Sequence, residues 1–81
     1  QRLEYFDKAL KEFELAKQAA INAKDEIVEQ FCYYQIADIY FNLNQIELVH
    51  RTLAHLKGRT LETNLSKYVK ELQLKISNKH N

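Results

Sequence analysis

Glu47-x-x-His50, with His55 five residues further on, are the side chains whose types and spacing come nearest to chemistry in this 81-residue chain. On a helix Glu47 and His50 share a face and offer zinc a carboxylate and an imidazole, but His55 lies about 140° around the axis from His50. No second donor cluster elsewhere completes a tetrahedron, so no metal is expected. Cys32, the lone cysteine, would need a neighbouring base to act as a nucleophile. It falls instead on the apolar side of a helical segment, where a thiol behaves as a small hydrophobe. The carboxylate pairs Glu12 with Glu14 and Asp25 with Glu26 do not share a helical face, so they are not expected to divide acid and base roles. A chain whose one glycine is Gly58 has no glycine-rich loop to cradle a phosphate. The reading is of a protein that is not an enzyme and carries no cofactor.

Charge narrows the partners. Twelve Lys and Arg residues against eleven Asp and Glu are interleaved along the chain, which removes the concentrated positive field that nucleic acid or an anionic membrane would need. No apolar run reaches the roughly 20 residues that span a bilayer. A single cysteine cannot form an internal disulfide and fits a reducing compartment, so a cytoplasmic location is expected. The length supports one small domain over residues 1 to 81, and the start without Met reads as a fragment of a larger protein.

The elements that must position any site follow from periodicity. With no proline and one glycine, almost nothing interrupts helix. Phe6, Ala9, Leu10, Phe13, Ala16, Ala20 and Ala23 recur near a 3.6-residue period and predict a first helix over residues 2 to 23. Asp25 is placed to cap a second helix over 26 to 43, whose apolar residues Ile27, Val28, Phe31, Cys32, Ile36, Ile39, Tyr40 and Leu43 cover more than one stripe, as in an element contacted on two sides. Asn44 stands where a left-handed residue would end that helix. A third helix over 45 to 57 carries Leu48, Val49, Thr52, Leu53 and Leu56 inward and stops at Gly58. Thr60 is the expected N-cap of a fourth helix over 61 to 77, with Leu61, Leu65, Tyr68, Val69, Leu72 and Ile76 on its apolar side and Lys67, Lys70, Glu71, Gln73 and Lys75 on the other. Connections this short make neighbours antiparallel, so the expected class is all-α, an antiparallel α-hairpin array of four helices. A coiled coil is the alternative, disfavoured because no heptad holds across the turns.

Tyr33-x-x-Ile36-Ala37-x-x-Tyr40, followed by Val49-x-x-x-Leu53-x-x-Leu56, resembles one tetratricopeptide repeat, and Ala9-x-x-x-Phe13-x-x-Ala16 resembles the second half of a preceding one. The fourth helix resembles the polar cap that closes such an array, giving a right-handed superhelix fragment. Trp and the repeat-ending Pro are missing, and the segment from Ile21 to Gln30 is longer than the common spacing. That longer spacing, with Ile36-Ala37-Asp38-Ile39-Tyr40-Phe41-Asn42-Leu43, is similar to repeats of bacterial peptide-sensing regulators of the Rap, NprR and PlcR group.

The resemblance implies a protein or peptide segment as partner, held along a concave wall by the first helix of each pair. Here that wall would present Phe31, Tyr34, Gln35, Asp38, Phe41 and Asn42 as peptide-binding residues, with rings for apolar side chains and amides for the peptide backbone. Phe31 and Phe41 have packing on the first and fourth helices as their alternative role. The Lys and Asn of a carboxylate clamp are replaced by Phe31, Tyr34 and Asp38, which disfavours an acidic C-terminal tail as ligand. The competing function is structural, a segment that caps or dimerises a longer scaffold through apolar surface on the first helix, giving a homo-oligomer.

Overall fold

The lone aspartate between the first two helical stretches caps the second: the Val28 N–H donates to Asp25 Oδ1 at 3.2 Å. The computed structural model describes residues 2–80, in which the chain forms four helices and no strand. They are α1 (Arg2–Ala23), α2 (Glu26–Asn42), α3 (Ile46–Ala54) and α4 (Thr63–His80). The architecture is all-α, with α1, α2 and α3 joined as helical hairpins.

Two turns share one construction. Asn44, at φ +62°, follows α2, with the Asn44 N–H donating to Phe41 O at 3.0 Å and the Gln45 N–H to Tyr40 O at 2.9 Å. Lys24, at φ +58°, does the same after α1, with the Lys24 N–H donating to Ile21 O at 3.1 Å and the Asp25 N–H to Ala20 O at 2.8 Å. Both are Schellman closures, in which a left-handed residue lets the last carbonyls of a helix be satisfied. Asn tolerates that conformation; Lys does so at a cost. Replacing Lys24 by Gly is therefore expected to stabilise the chain by about 0.5–1 kcal/mol, the left-handed cost removed less the entropy that glycine adds to the unfolded state. The matching loss is expected for Gly58→Ala, whose new methyl would meet nothing within 4 Å but whose φ is +77°. Urea unfolding of both variants checks the pair.

Two expected boundaries move. The third helix was expected over 45 to 57 and ends at Ala54, because the His55, Leu56 and Lys57 N–H groups donate three residues back, to Thr52, Leu53 and Ala54. This tighter 3₁₀-type turning still buries Leu56. The fourth helix begins at Thr63 and not at residue 61, and its cap is Glu62: the Leu65 N–H donates to Glu62 Oε2 at 3.0 Å and the Ser66 N–H to Glu62 O at 2.8 Å. Thr60 is used differently, its carbonyl accepting from the buried Gln30 Nε2 at 3.4 Å. Beside it Arg59 pairs with Glu29 at 3.4 Å. These two links clasp the connection between α3 and α4 onto the start of α2, so α4 cannot begin until the chain has cleared it.

The core gathers Tyr33 and Ala37 of α2, Val49, Leu53 and Leu56 from α3 and its closing turn, and Leu65, Val69, Leu72 and Ile76 of α4. Ala20 of α1 is buried, as are Cys32, Ile36 and Ile39 of α2. Of the apolar positions expected to face inward, Ala16 and Ala23 of α1 are exposed, as are Ile27 and Val28 at the start of α2. Ala23, Ile27 and Val28 flank the α1–α2 turn, whereas Ala16 lies about two turns earlier in α1. Half-buried Lys17 takes the place expected of Ala16, its ammonium held by Glu14 at 2.7 Å and lying 5.3 Å from the centre of the Tyr33 ring.

Candidate functional site

Phe31, Tyr34, Asp38 and Phe41 recur at intervals of three and four, so they form one stripe of α2. The structure turns that stripe toward α4. Phe31, Tyr34 and Phe41 are half-buried against the core cluster. Tyr34 stacks on Tyr68, with centroids 5.8 Å apart and planes at 30°. The Lys79 ammonium lies 5.0 Å from the centre of the Phe41 ring. Tyr34 precedes Phe41 in α2 as Tyr68 precedes Lys79 in α4, so the two contacts place α2 and α4 side by side and running in the same sense. Gln35 and Asp38 are half-buried at the margin of the stripe. Asn42 is exposed, and its Nδ2 donates to Asp38 O at 2.8 Å.

The six α2 residues therefore share one side of the molecule, with the rings doing part of the packing of α4. What sequence reasoning missed is the contribution of α4 itself. The periodicity of α4 places Tyr68 on its apolar side, yet 41% of its surface is accessible, and it places Glu71 on the polar side. Both come close to Tyr34, whose phenol is pushed above its usual 10.0 by burial first, and then by the carboxylates of Asp38 and Glu71 and by Tyr68. The signal was present as a second α4 stripe, Tyr68, Glu71, Lys75 and Lys79, at helical spacing beside the apolar one. The resulting surface has two stacked phenols bordered by two acids.

The other chemical candidates fall apart in space. Glu47 is taken up by Arg51 at 3.0 Å, and His55 stacks face to face on Tyr33, with centroids 4.7 Å apart and planes at 9°. Among the described residues no three His, Cys, Asp or Glu side chains gather to hold a metal. Cys32 is buried, and that burial pushes its thiol up from 9.0, away from the thiolate a nucleophile requires. Lys17 is raised above 10.5 chiefly by its hydrogen bond to Glu14.

All three resolved shifts are upward, and each folded group keeps a proton that the unfolded chain has begun to release. Stability is thus fully present below the unfolded pKa values and is lost as pH rises through windows opening at 9.0 for Cys32, 10.0 for Tyr34 and 10.5 for Lys17. Urea midpoints should fall in the alkaline range starting near 9, and Cys32→Ala should delay that onset; a flat profile through 10.5 would contradict the assignment.

Among the described residues no helix is long and apolar enough to cross a membrane. Comparison of the chain with protein-family models, with curated proteins and with solved structures gave no match in any of the three.

Proposed function

We propose that this chain is a peptide- or protein-binding helical module whose binding surface is the side shared by α2 and α4. The observation that carries the reading is the Tyr34–Tyr68 stack bordered by Asp38 and Glu71. Accessible phenol edges give an extended segment apolar contact at low entropic cost, the carboxylates favour a Lys or Arg in that segment, and Gln35 supplies an amide for its backbone. The module binds and does not catalyse. Its resemblance to tetratricopeptide repeats supports this use, and the narrower likeness to peptide-sensing regulators supports a place as the ligand-sensing part of a cytoplasmic regulator.

A random peptide library panned on the protein provides the test. Enriched peptides should carry basic residues next to apolar ones, and Tyr34→Ala or Asp38→Ala should weaken their binding by about tenfold or more, with helicity retained. Unchanged affinity in both variants would remove the α2–α4 surface as the site.

A second reading, self-association of a scaffold segment through α1, is favoured by Leu3, Tyr5 and Leu15, which are 59%, 67% and 73% accessible. Phe6 and Leu10 of the same helix are half-buried. Sedimentation that shows one species at all concentrations, unchanged by Leu15→Glu, would dispose of it.

A further inference from the structure

The opposite side of α4 has a different chemistry. Between α3 and α4 runs a groove of about 600 Å³ with a floor of Leu53, Leu56, Val69 and Ile76. Its rim carries His50, Lys57 and Lys70, and no Asp or Glu lines it. The α4 residues along it extend from Ser66 to Ile76, about 15 Å of helix at 1.5 Å per residue, or three turns. Lys17, Arg51 and Arg59 are each neutralised by a carboxylate. Among the described residues Lys57 and Lys70 have no ion-pair partner.

We infer that this groove is a docking site for an amphipathic helix of another protein, apolar on one face and flanked by Glu or Asp. The side chains of α3 and α4 leave a trough between them, and its apolar floor takes residues at i, i+3, i+4 and i+7 of the incoming face. Charge fixes the kind of helix. The rim lysines are uncompensated, so an acidic flank supplies what the chain itself does not, whereas a lysine-flanked helix meets like charge. Asp38 and Glu71 lie on the side of α4 shared with α2, whereas the lining of this groove carries no acid to repel an acidic helix. The site is distinct from the α2–α4 surface and uses none of its residues.

The test uses the whole chain and two synthetic helical peptides with the same leucine face, one flanked by glutamate and the other by lysine, followed by fluorescence anisotropy at low ionic strength. The glutamate peptide should bind at least about tenfold more tightly, weaken as salt is added, and lose that preference in Lys57→Glu/Lys70→Glu. Both lysines are exposed, so circular dichroism should show the double variant folded. Tyr34→Ala should bind the glutamate peptide normally, which separates this site from the one on the α2–α4 side. Equal binding of the two peptides, no binding of either, or unchanged binding in the double variant would overturn the inference. So would sedimentation showing that a second copy of the chain already fills the groove and is displaced by neither peptide.

Discussion

Leu72→Ala is expected to lower the unfolding free energy by about 3 kcal/mol, the middle of the range for deleting a buried leucine side chain. Leu72 is 1% accessible and sits in the cluster that joins α4 to α2 and α3. A chain of 81 residues has roughly 4–12 kcal/mol of stability in total, so the loss is a large fraction of it and should lower Tm by more than roughly 10 °C. The consequence reaches the candidate site, because Tyr68 and Glu71 are carried by the same turns of α4. Near-ultraviolet circular dichroism should report loosening of the Tyr34–Tyr68 pair before helicity is lost. Leu74, two residues away and 63% accessible, is the control: Leu74→Ala should change stability by less than about 0.5 kcal/mol. Similar losses in both variants would mean that α4 is not docked through Leu72.

Ala37→Leu is expected to cost about 2–3 kcal/mol for the opposite reason. Ala37 has no accessible surface and lies in the core cluster with Val49, Leu53 and Leu65. A larger side chain there must push helices apart. Ala and Leu are both strong helix formers, so intrinsic propensity changes little and the loss reports packing. Ala37→Gly, which removes volume and adds backbone freedom, should cost only about 1 kcal/mol. Thermal unfolding ranks the two; a leucine variant as stable as the parent would show a void beside Ala37 that the packing does not contain.

The elements legible in the sequence were those set by local rules. Asp25 as a cap and Asn44 and Gly58 as left-handed residues each follow from chemistry within a few positions, and each occurs where expected. The pairing of Tyr33, Ile36, Tyr40, Val49, Leu53 and Leu56 in an α2–α3 hairpin was also readable, five of them buried and Tyr40 half-buried, because two apolar stripes separated by a short turn pack against each other. The start of α4 was not. Thr60 is the cap its type suggests, whereas Glu62 is not of a type that usually caps, and the Thr60 carbonyl is taken instead by Gln30, thirty positions away. Lys24 was missed because nothing in its side chain announces a positive φ; its conformation is imposed by the turn around it. At the candidate site the α2 stripe was readable from its spacing. Its partners Tyr68 and Glu71 were hidden because the direction and register of α4 are set by the clasp at residues 59–60, and a helix's own periodicity cannot say which neighbour its second face meets.

The central position of α2 also governs the order in which the chain assembles. α1 and α3 each reach α2 across turns of a few residues, so those hairpins close quickly and with little loss of chain entropy. α4 contacts α2 from beyond α3, the one helix whose docking must wait for a long loop to shut. In native-state hydrogen exchange α4 should consequently open as a separate unit at lower free energy than the α1–α2–α3 body, and on refolding its amides should gain protection last.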